Sequence, residues 1–250
     1  MSTEKTEAII IRQVDFSETS RVVTFYTREF GKVPLLAKGA KRLKGPFESG
    51  LDLLSICDIV FIRKSSGTLG ILTESRLKKR FQNTHGELIR LYGAYYFAEL
   101  LDGLNEEFDP HPGLYDAAQE SLIRLDDEAS VPRLAIILFE LALLREIGHL
   151  PNFETCLKCD RPTDDGAPFA YWVSQGGLLC RRCQTREYEK NRIGLEAVRW
   201  LRQLSQPEAI EPESLDDKIL KDMNNVTTSA VSYDLGRRPK TLRYLQTLSR

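Results

Sequence analysis

Two cysteine pairs constrain this chain more than anything else in it: Cys156-Leu157-Lys158-Cys159 and Cys180-Arg181-Arg182-Cys183, separated by residues 160–179. Two residues between thiolates form a tight knuckle that lets both sulfurs reach one ion, and two knuckles complete a tetrahedron. The spacing is that of a zinc ribbon or a related four-cysteine site. Pro162, Gly166, Pro168, Gly176 and Gly177 between the pairs suit a hairpin that brings them together. The alternatives are two disulfides or four reduced, metal-free thiols. The N-terminus has no basic start followed by a long apolar stretch, so a cytoplasmic location is expected, and disulfides are disfavoured there. A thioredoxin-like motif needs one pair, not two. One structural Zn²⁺ is therefore expected on Cys156, Cys159, Cys180 and Cys183, with no coordination position left for a substrate. Cys57, in an apolar stretch, reads as a small buried hydrophobe.

The first 80 residues read as five short strands. Residues 7–14 (EAIIIRQV), 21–26 (RVVTFY) and 32–38 (KVPLLAK) are rich in β-branched and aliphatic side chains. Residues 53–63 alternate, with Leu54, Ile56, Val60 and Ile62 on one face and Asp58 as the exception. Residues 68–77 alternate through Leu69, Ile71, Thr73, Ser75 and Leu77. Gly31, Gly39, Gly45, Gly50 and Gly67 fall in or beside the gaps. Five strands without an intervening helix suggest a small barrel, with the OB-fold as the leading form; an SH3-like barrel gives much the same pattern.

From Gly86 the period becomes helical, with Leu88, Leu91, Tyr92 and Tyr95 at i, i+3, i+4 and i+7. A second helix is expected over about 114–125. A third opens at Val131-Pro132 and stops near Gly148; it is so apolar that it belongs at the centre of a bundle. Helical character returns at 195–204, about 215–233 and 238–248, with 206–214 as an exposed connection. The fold class is thus α+β. Its expected divisions are an OB-fold domain over 1–80, helices over 81–155, a zinc-binding segment over 156–190, and helices over 191–250 that complete the helical domain. No stretch is apolar and long enough to cross a bilayer.

The formal net charge is −1, which conceals a segregation. Residues 1–80 hold 15 Lys and Arg against 9 Asp and Glu; residues 81–155 hold 4 against 14; residues 156–250 hold 16 against 13. The basic first third can attract a polyanion and the acidic middle should repel one. The densest basic segment is KGAKRLKG at 38–45, where Lys38, Lys41, Arg42 and Lys44 flank glycines that allow close backbone approach. Arg76, Lys78, Lys79 and Arg80 form a second cluster. Either cluster can be plain solvated surface, but two on one barrel favour phosphate binding. Phe16, Phe25, Tyr26, Phe30 and Phe47 are rings that either stack bases or fill the core.

No enzyme is visible. The chain lacks GxxxxGK[ST], GxGxxG, GxSxG and HExxH. His85, His111 and His149 are far apart, and the carboxylates at 106–109 and 126–128 read as solvated loops or helix ends.

Taken together, these segments resemble the bacterial recombination mediator family RecO. Residues 10–44 resemble its N-terminal strands, including Ser20-Arg21 and the Lys-Gly-Ala-Lys-Arg turn. GTLGILTES (67–75) resembles its last barrel strand. CLKCDRP followed by GGLLCRRC resembles its zinc-binding form, and YDLGRRPKTLRYL (233–245) its C-terminal helix. The resemblance implies a non-enzymatic protein that binds single- and double-stranded DNA, anneals complementary strands, and acts with RecR to help RecA load on strands coated with single-stranded DNA-binding protein (SSB). It makes Lys38, Lys41, Arg42 and Lys44 the leading DNA contacts, followed by Arg12 and Arg21. It also implies binding of the acidic SSB tail, for which the acidic middle offers only Arg90, Arg124, Arg133 and Arg145. A protein-interaction scaffold and an RNA-binding accessory protein are the competing readings.

Overall fold

In the computed structural model, which describes residues 2–42, 47, 51–64, 69–82, 87–164, 168–186, 191–206, 212 and 214–248, the N-terminal apolar runs form five strands. These are β1 (Ser2–Asp15), β2 (Arg21–Thr27), β3 (Gly31–Ala37), β4 (Ile56–Arg63) and β5 (Gly70–Lys79). They close into a barrel in the order β1-β2-β3-β5-β4, with β3 and β5 parallel and the other pairs antiparallel. That is the Greek-key barrel of the OB-fold, and the α+β expectation holds. The expected turn glycines Gly45, Gly50 and Gly67 lie outside the described residues, as do Gly86 and Gly166.

Ile10, Val23, Phe25, Val33, Leu35, Ile59 and Phe61 fill the barrel, and Cys57 is buried with them as expected. The expected face of β4 needs correcting. Cys57, Ile59 and Phe61 point inward, whereas Val60 and Ile62 are half-buried outside. Both faces of this strand are apolar, so its period could not choose between them. Pairing decides, because Cys57 stands opposite Ala8 and Phe61 opposite Leu72, both core residues. In β5 the expected alternation breaks at a register shift: Phe61 faces Leu72, while Ile59 faces Ser75 and Cys57 faces Leu77. One extra residue in a bulge reverses the parity of everything beyond it.

The chain divides into two compact units, residues 1–128 with 239–250, and residues 129–238. In the first, α1 (Leu88–Leu104), α2 (Pro112–Asp126) and α6 (Leu242–Leu248) accompany the barrel. The segment joining α1 to α2 lies against the β2–β3 turn, where Phe108 N–H donates to Lys32 O at 3.0 Å. Gly31 makes this possible. It sits at φ +65°, and a Cβ there would fall 2.0 Å from Asp109 O. Arg90 is buried and donates to the carbonyls of Asp127 and Glu128 at 2.8 and 3.0 Å, closing the end of α2. Glu99 of α1 accepts from the backbone N–H groups of Lys240 and Thr241 at 2.8 and 3.0 Å and so caps α6.

The second unit holds α3 (Pro132–Glu146), α4 (Leu195–Leu204) and α5 (Asp217–Asp234), with a sheet of β6 (Asn152–Cys156), β7 (Phe169–Trp172), β8 (Gly177–Leu179) and β9 (Arg192–Ile193) in the order β6-β8-β7-β9. α3 is as buried as its composition implies and packs against α5. Its one acid in the core, Glu140, is fully buried and accepts from the hydroxyls of Thr227 and Thr228 at 2.5 and 3.0 Å. Such partners are what make a buried carboxylate tolerable. Gly148 follows at φ +77°, the left-handed cap expected of it. Among the described residues no helix is long and apolar enough to cross a membrane.

Candidate metal centre and nucleic-acid interface

The cysteines converge because of how β6 and β8 pair. Cys156 ends β6 and stands opposite Leu178 of β8, so Cys180, just beyond β8, arrives beside it. Leu157 N–H donates to Leu178 O at 2.9 Å and locks that register. Gly177 permits the approach, since a Cβ there would come within 2.7 Å of the Leu157 side chain. Each pair then turns back on itself. Asp160 N–H donates to Cys156 O, and Cys183 N–H to Cys180 O, both at 2.9 Å. Asp160 takes φ +54° to complete the first knuckle, a conformation that Asp tolerates better than most residues.

All four Sγ atoms lie within 4.8 Å of one another, and those of Cys159 and Cys180 are 3.7 Å apart. A tetrahedral site with metal–sulfur bonds of about 2.3 Å puts its sulfurs about 3.8 Å apart. The four thiols are free, and 3.7 Å is far from the roughly 2.05 Å of a disulfide. Burial pushes the Cys156 thiol up, but backbone N–H groups of Cys180, Lys158 and Cys159 outweigh it and bring the group to about 6. That makes it a thiolate at neutral pH, the metal-binding form. Cys183, hydrogen-bonded first to Cys159 and then burdened by burial and by Cys180 and Cys156, is pushed up to about 12. The arrangement can hold one structural metal ion, and its four ligands fill a tetrahedron.

The basic residues are placed by strand polarity. β1, β3 and β5 run one way and β2 and β4 the other. The ends of the first three and the starts of the other two therefore share one rim of the barrel. Lys38, Lys41 and Arg42 follow β3, Arg21 opens β2, and Lys79 and Arg80 close β5. Lys41 N–H donates to Thr19 O at 3.1 Å, tying the turn after β3 to the turn after β1. Its ammonium lies 3.0 Å from Asp15, which also accepts from Arg21 at 3.0 Å. Hydrogen bonds from Lys41 and Arg21 hold the Asp15 carboxyl below its usual range. Lys38 and Arg42 are exposed and form no ion pair among the described residues. Lys44 lies outside the described residues.

The other candidate cations divide by their partners. Arg12 lies on the outer face of β1, 3.5 Å from Asp102. Lys78 pairs with Glu7 and lies 3.8 Å from Asp58; Arg80 pairs with Asp52; Lys79 sits over the Phe81 ring at 5.1 Å. Arg76 is exposed opposite Asp58 on β4. Of the five aromatic candidates, Phe25, Tyr26 and Phe47 are buried, and Phe30 packs edge-on against Phe61 at 5.5 Å. Phe16 alone is exposed, at 61%. Its position in a polar turn, SETS, was the one signal that could have separated it from the others.

In the helical middle, Arg90 is spent on backbone carbonyls, Arg124 pairs with Glu120 at 2.7 Å, Arg133 with Asp217 at 3.3 Å, and Arg145 donates to Ser205 O at 2.7 Å. His111 meets Asp109 at 3.2 Å and His149 meets Asp234 at 2.9 Å. His85 lies outside the described residues.

Comparison with known proteins agrees with this architecture. Residues 1–81 match the family model "Recombination protein O N terminal" and residues 85–243 match "Recombination protein O C terminal". The chain is 39% identical over 210 residues to "DNA repair protein RecO" of Rhodopirellula baltica, covering 84% of this chain and 77% of the relative. It is 30% identical over 198 residues to the protein of the same name from Halalkalibacterium halodurans, covering 79% and 76%. With that from Syntrophus aciditrophicus it shares 25% identity over 254 residues, covering 100% and 97%. An OB barrel at the N-terminus, a four-cysteine metal site between α3 and α4, and family models over both halves lead to one conclusion: the chain belongs to the RecO family of recombination and DNA repair proteins.

Proposed function

We propose that this chain is a non-enzymatic recombination mediator whose barrel rim binds single- and double-stranded DNA through phosphates. It anneals complementary strands, and acts with RecR to help RecA load on SSB-coated DNA, in the cytoplasm and at the nucleoid. The observation that carries this is the rim itself, where Lys38, Lys41, Arg42 and Arg21 gather on linked turns of an OB barrel. Cations spaced along exposed turns meet successive phosphates without reading sequence. Residues 1–80 are the DNA-binding domain in this reading, with 81–155 and 191–250 as the helical domain. Arg12 supports the rim from the side, and Arg76, Lys78, Lys79 and Arg80 extend it with lower weight, since Glu7, Asp58 and Asp52 already engage two of them. Residues 156–190 hold one structural Zn²⁺, the ion that best suits four thiolates in a tetrahedron.

The test is binding and strand annealing, with and without SSB coating, for the wild type and a variant with Lys38, Lys41, Arg42 and Lys44 changed to Ala. The variant should bind every sequence more weakly, with a salt slope flattened by about 0.7 per lost single-strand contact. An unchanged slope refutes the rim. Normal DNA binding with lost partner capture favours an interaction scaffold, and preference for matched RNA favours an RNA-binding role.

A further inference from the structure

The second unit holds a cavity of about 330 Å³ where the ends of two helices meet the metal-binding sheet. His149 and Leu150 reach it just after α3, Tyr233 and Asp234 at the end of α5, and Tyr171 and Val173 from β7 and the turn after it. α5 packs against that turn, and Tyr171 is fixed by its pairing with Leu178 of β8. Among the described residues no lysine or arginine lines the cavity.

Two groups in this cavity lack the partner that their chemistry calls for. Tyr171 is only 2% exposed, yet its hydroxyl makes no hydrogen bond among the described residues. A buried polar group without a partner is costly and uncommon. Asp234 is the last residue of α5, where the helix dipole places about half a negative charge and a cation is the favoured neighbour. That helix has no basic residue in its last turn. The Asp234 side chain is 13% exposed; His149 Nδ1 lies 2.9 Å from one of its oxygens, and the other has no partner among the described residues. The end of α3 adds a second negative dipole, and its last-turn Arg145 is engaged by Ser205 O. Burial, and then the charge of Asp234, push the Tyr171 phenol up, so it stays a neutral hydroxyl.

A carboxylate, a phenol oxygen able to accept a hydrogen bond, and two helix C-termini favour one kind of guest, a cation rich in N–H groups. An anion would be repelled by Asp234, and an apolar guest would leave both groups unmet. We propose that this cavity binds an organic cation, an alkyl guanidinium or primary ammonium, with its charge at Asp234 and an N–H donated to the Tyr171 oxygen. Leu150 and Val173 give its alkyl stem an apolar wall, and Tyr233, 55% exposed, offers a ring for the cation. A free polyamine and an arginine or lysine side chain of a partner protein present the same chemistry. The site lies apart in sequence from the barrel rim, and the proposal does not depend on the DNA-binding role.

The test is calorimetric titration of the full chain with agmatine, with spermidine and with acetyl-Ala-Arg-Ala-amide, at physiological salt to screen diffuse attraction to the acidic surface. At least one probe should bind saturably, one per chain, and raise the melting temperature. The same peptide with citrulline in place of arginine should not bind. Asp234→Asn should weaken binding about tenfold, and Tyr171→Phe, which removes only the hydroxyl, about threefold. If Asp234→Asn does not fold, Tyr171→Phe decides alone. Tighter binding of the peptide than of the free cations assigns the site to a partner's side chain; the reverse, or equal binding, assigns it to a free cation. No saturable binding overturns the proposal. So does equal binding of the citrulline peptide, or an affinity that either folded variant leaves unchanged, which would put the cation elsewhere on the surface.

Discussion

The ammonium of Lys41 lies 3.0 Å from the carboxylate of Asp15, joining the turn after β3 to the end of β1. Asp15 also accepts from Arg21 at 3.0 Å, so one acid orients two of the cations proposed to meet phosphate. In the proposed role the same acid would oppose the DNA it helps to position, because its charge stands at the rim. Its carboxyl is held below the usual range by those two hydrogen bonds, so it is ionised at neutral pH.

Asp15→Asn should therefore raise DNA affinity. The amide oxygen still accepts from Lys41 or Arg21, while one negative charge leaves the rim. A gain of about threefold at physiological salt is expected, shrinking as salt rises, since exposed charges are screened beyond about 8 Å there. Fluorescence anisotropy across a salt series measures it. A loss of affinity would mean that orientation by Asp15 outweighs its repulsion.

Glu7 has the opposite role, in the fold itself. Burial raises its carboxyl, but hydrogen bonds from Lys78, Tyr115 and Gln119 outweigh burial and set it below the usual 4.5. A group lowered in the folded state stabilises fully above its unfolded value and loses that contribution as pH falls through the folded value. Glu7→Gln should cost about 1 kcal/mol at pH 7. Below about pH 4.5 the difference should close, because the wild type then loses the same interaction. Urea midpoints for both chains between pH 3 and 7 test this, and a gap that persists at pH 3 would refute it.

Legibility in the sequence followed range. The metal site is legible because two residues between thiols fix a knuckle locally, and the helix at Leu195–Leu204 because its period is local. The barrel strands are legible, but not the faces of β4 and β5 or the outer face of β1. A bulge reverses parity through pairing with a neighbouring strand, which a single run of residues does not encode. Glu99 capping Lys240 and Thr241 across 141 and 142 positions is invisible for the same reason. Among the ten candidate cations, sequence gives only density. Whether a lysine faces solvent, like Lys38, or a carboxylate, like Lys78, depends on strands brought together by folding.

Gly31 separates two costs that substitution of glycine usually mixes. At φ +65° any side chain is strained, and here a Cβ would also fall 2.0 Å from Asp109 O. Gly236 has φ +67° and nothing within 4 Å of its Cβ position. Gly236→Ala should cost about 1 kcal/mol, the conformational term alone. Gly31→Ala should cost about 2–4 kcal/mol, since the segment between α1 and α2 must shift. Similar melting temperatures for the two variants would show that the segment yields without penalty.

Removing the metal should unfold before it disarms. The four cysteines bracket β6 and β8, strands whose register pairs Asn152 with Gly177 and Cys156 with Leu178. An ion held by all four thiolates would add to these few backbone pairs, and its binding free energy would become folding free energy. Cys156→Ser, or treatment with a strong chelator, should release one zinc per chain and lower the melting temperature. Lower pH should speed the release, because protons compete for the thiolates. DNA binding at the barrel rim should survive under conditions where the chain stays folded. The rim is built from residues before position 81, and among the described residues none of its hydrogen bonds or ion pairs draws on the four cysteines. A Cys156→Ser chain that kept its wild-type melting temperature and lost only DNA affinity would instead place the metal site in the nucleic-acid interface.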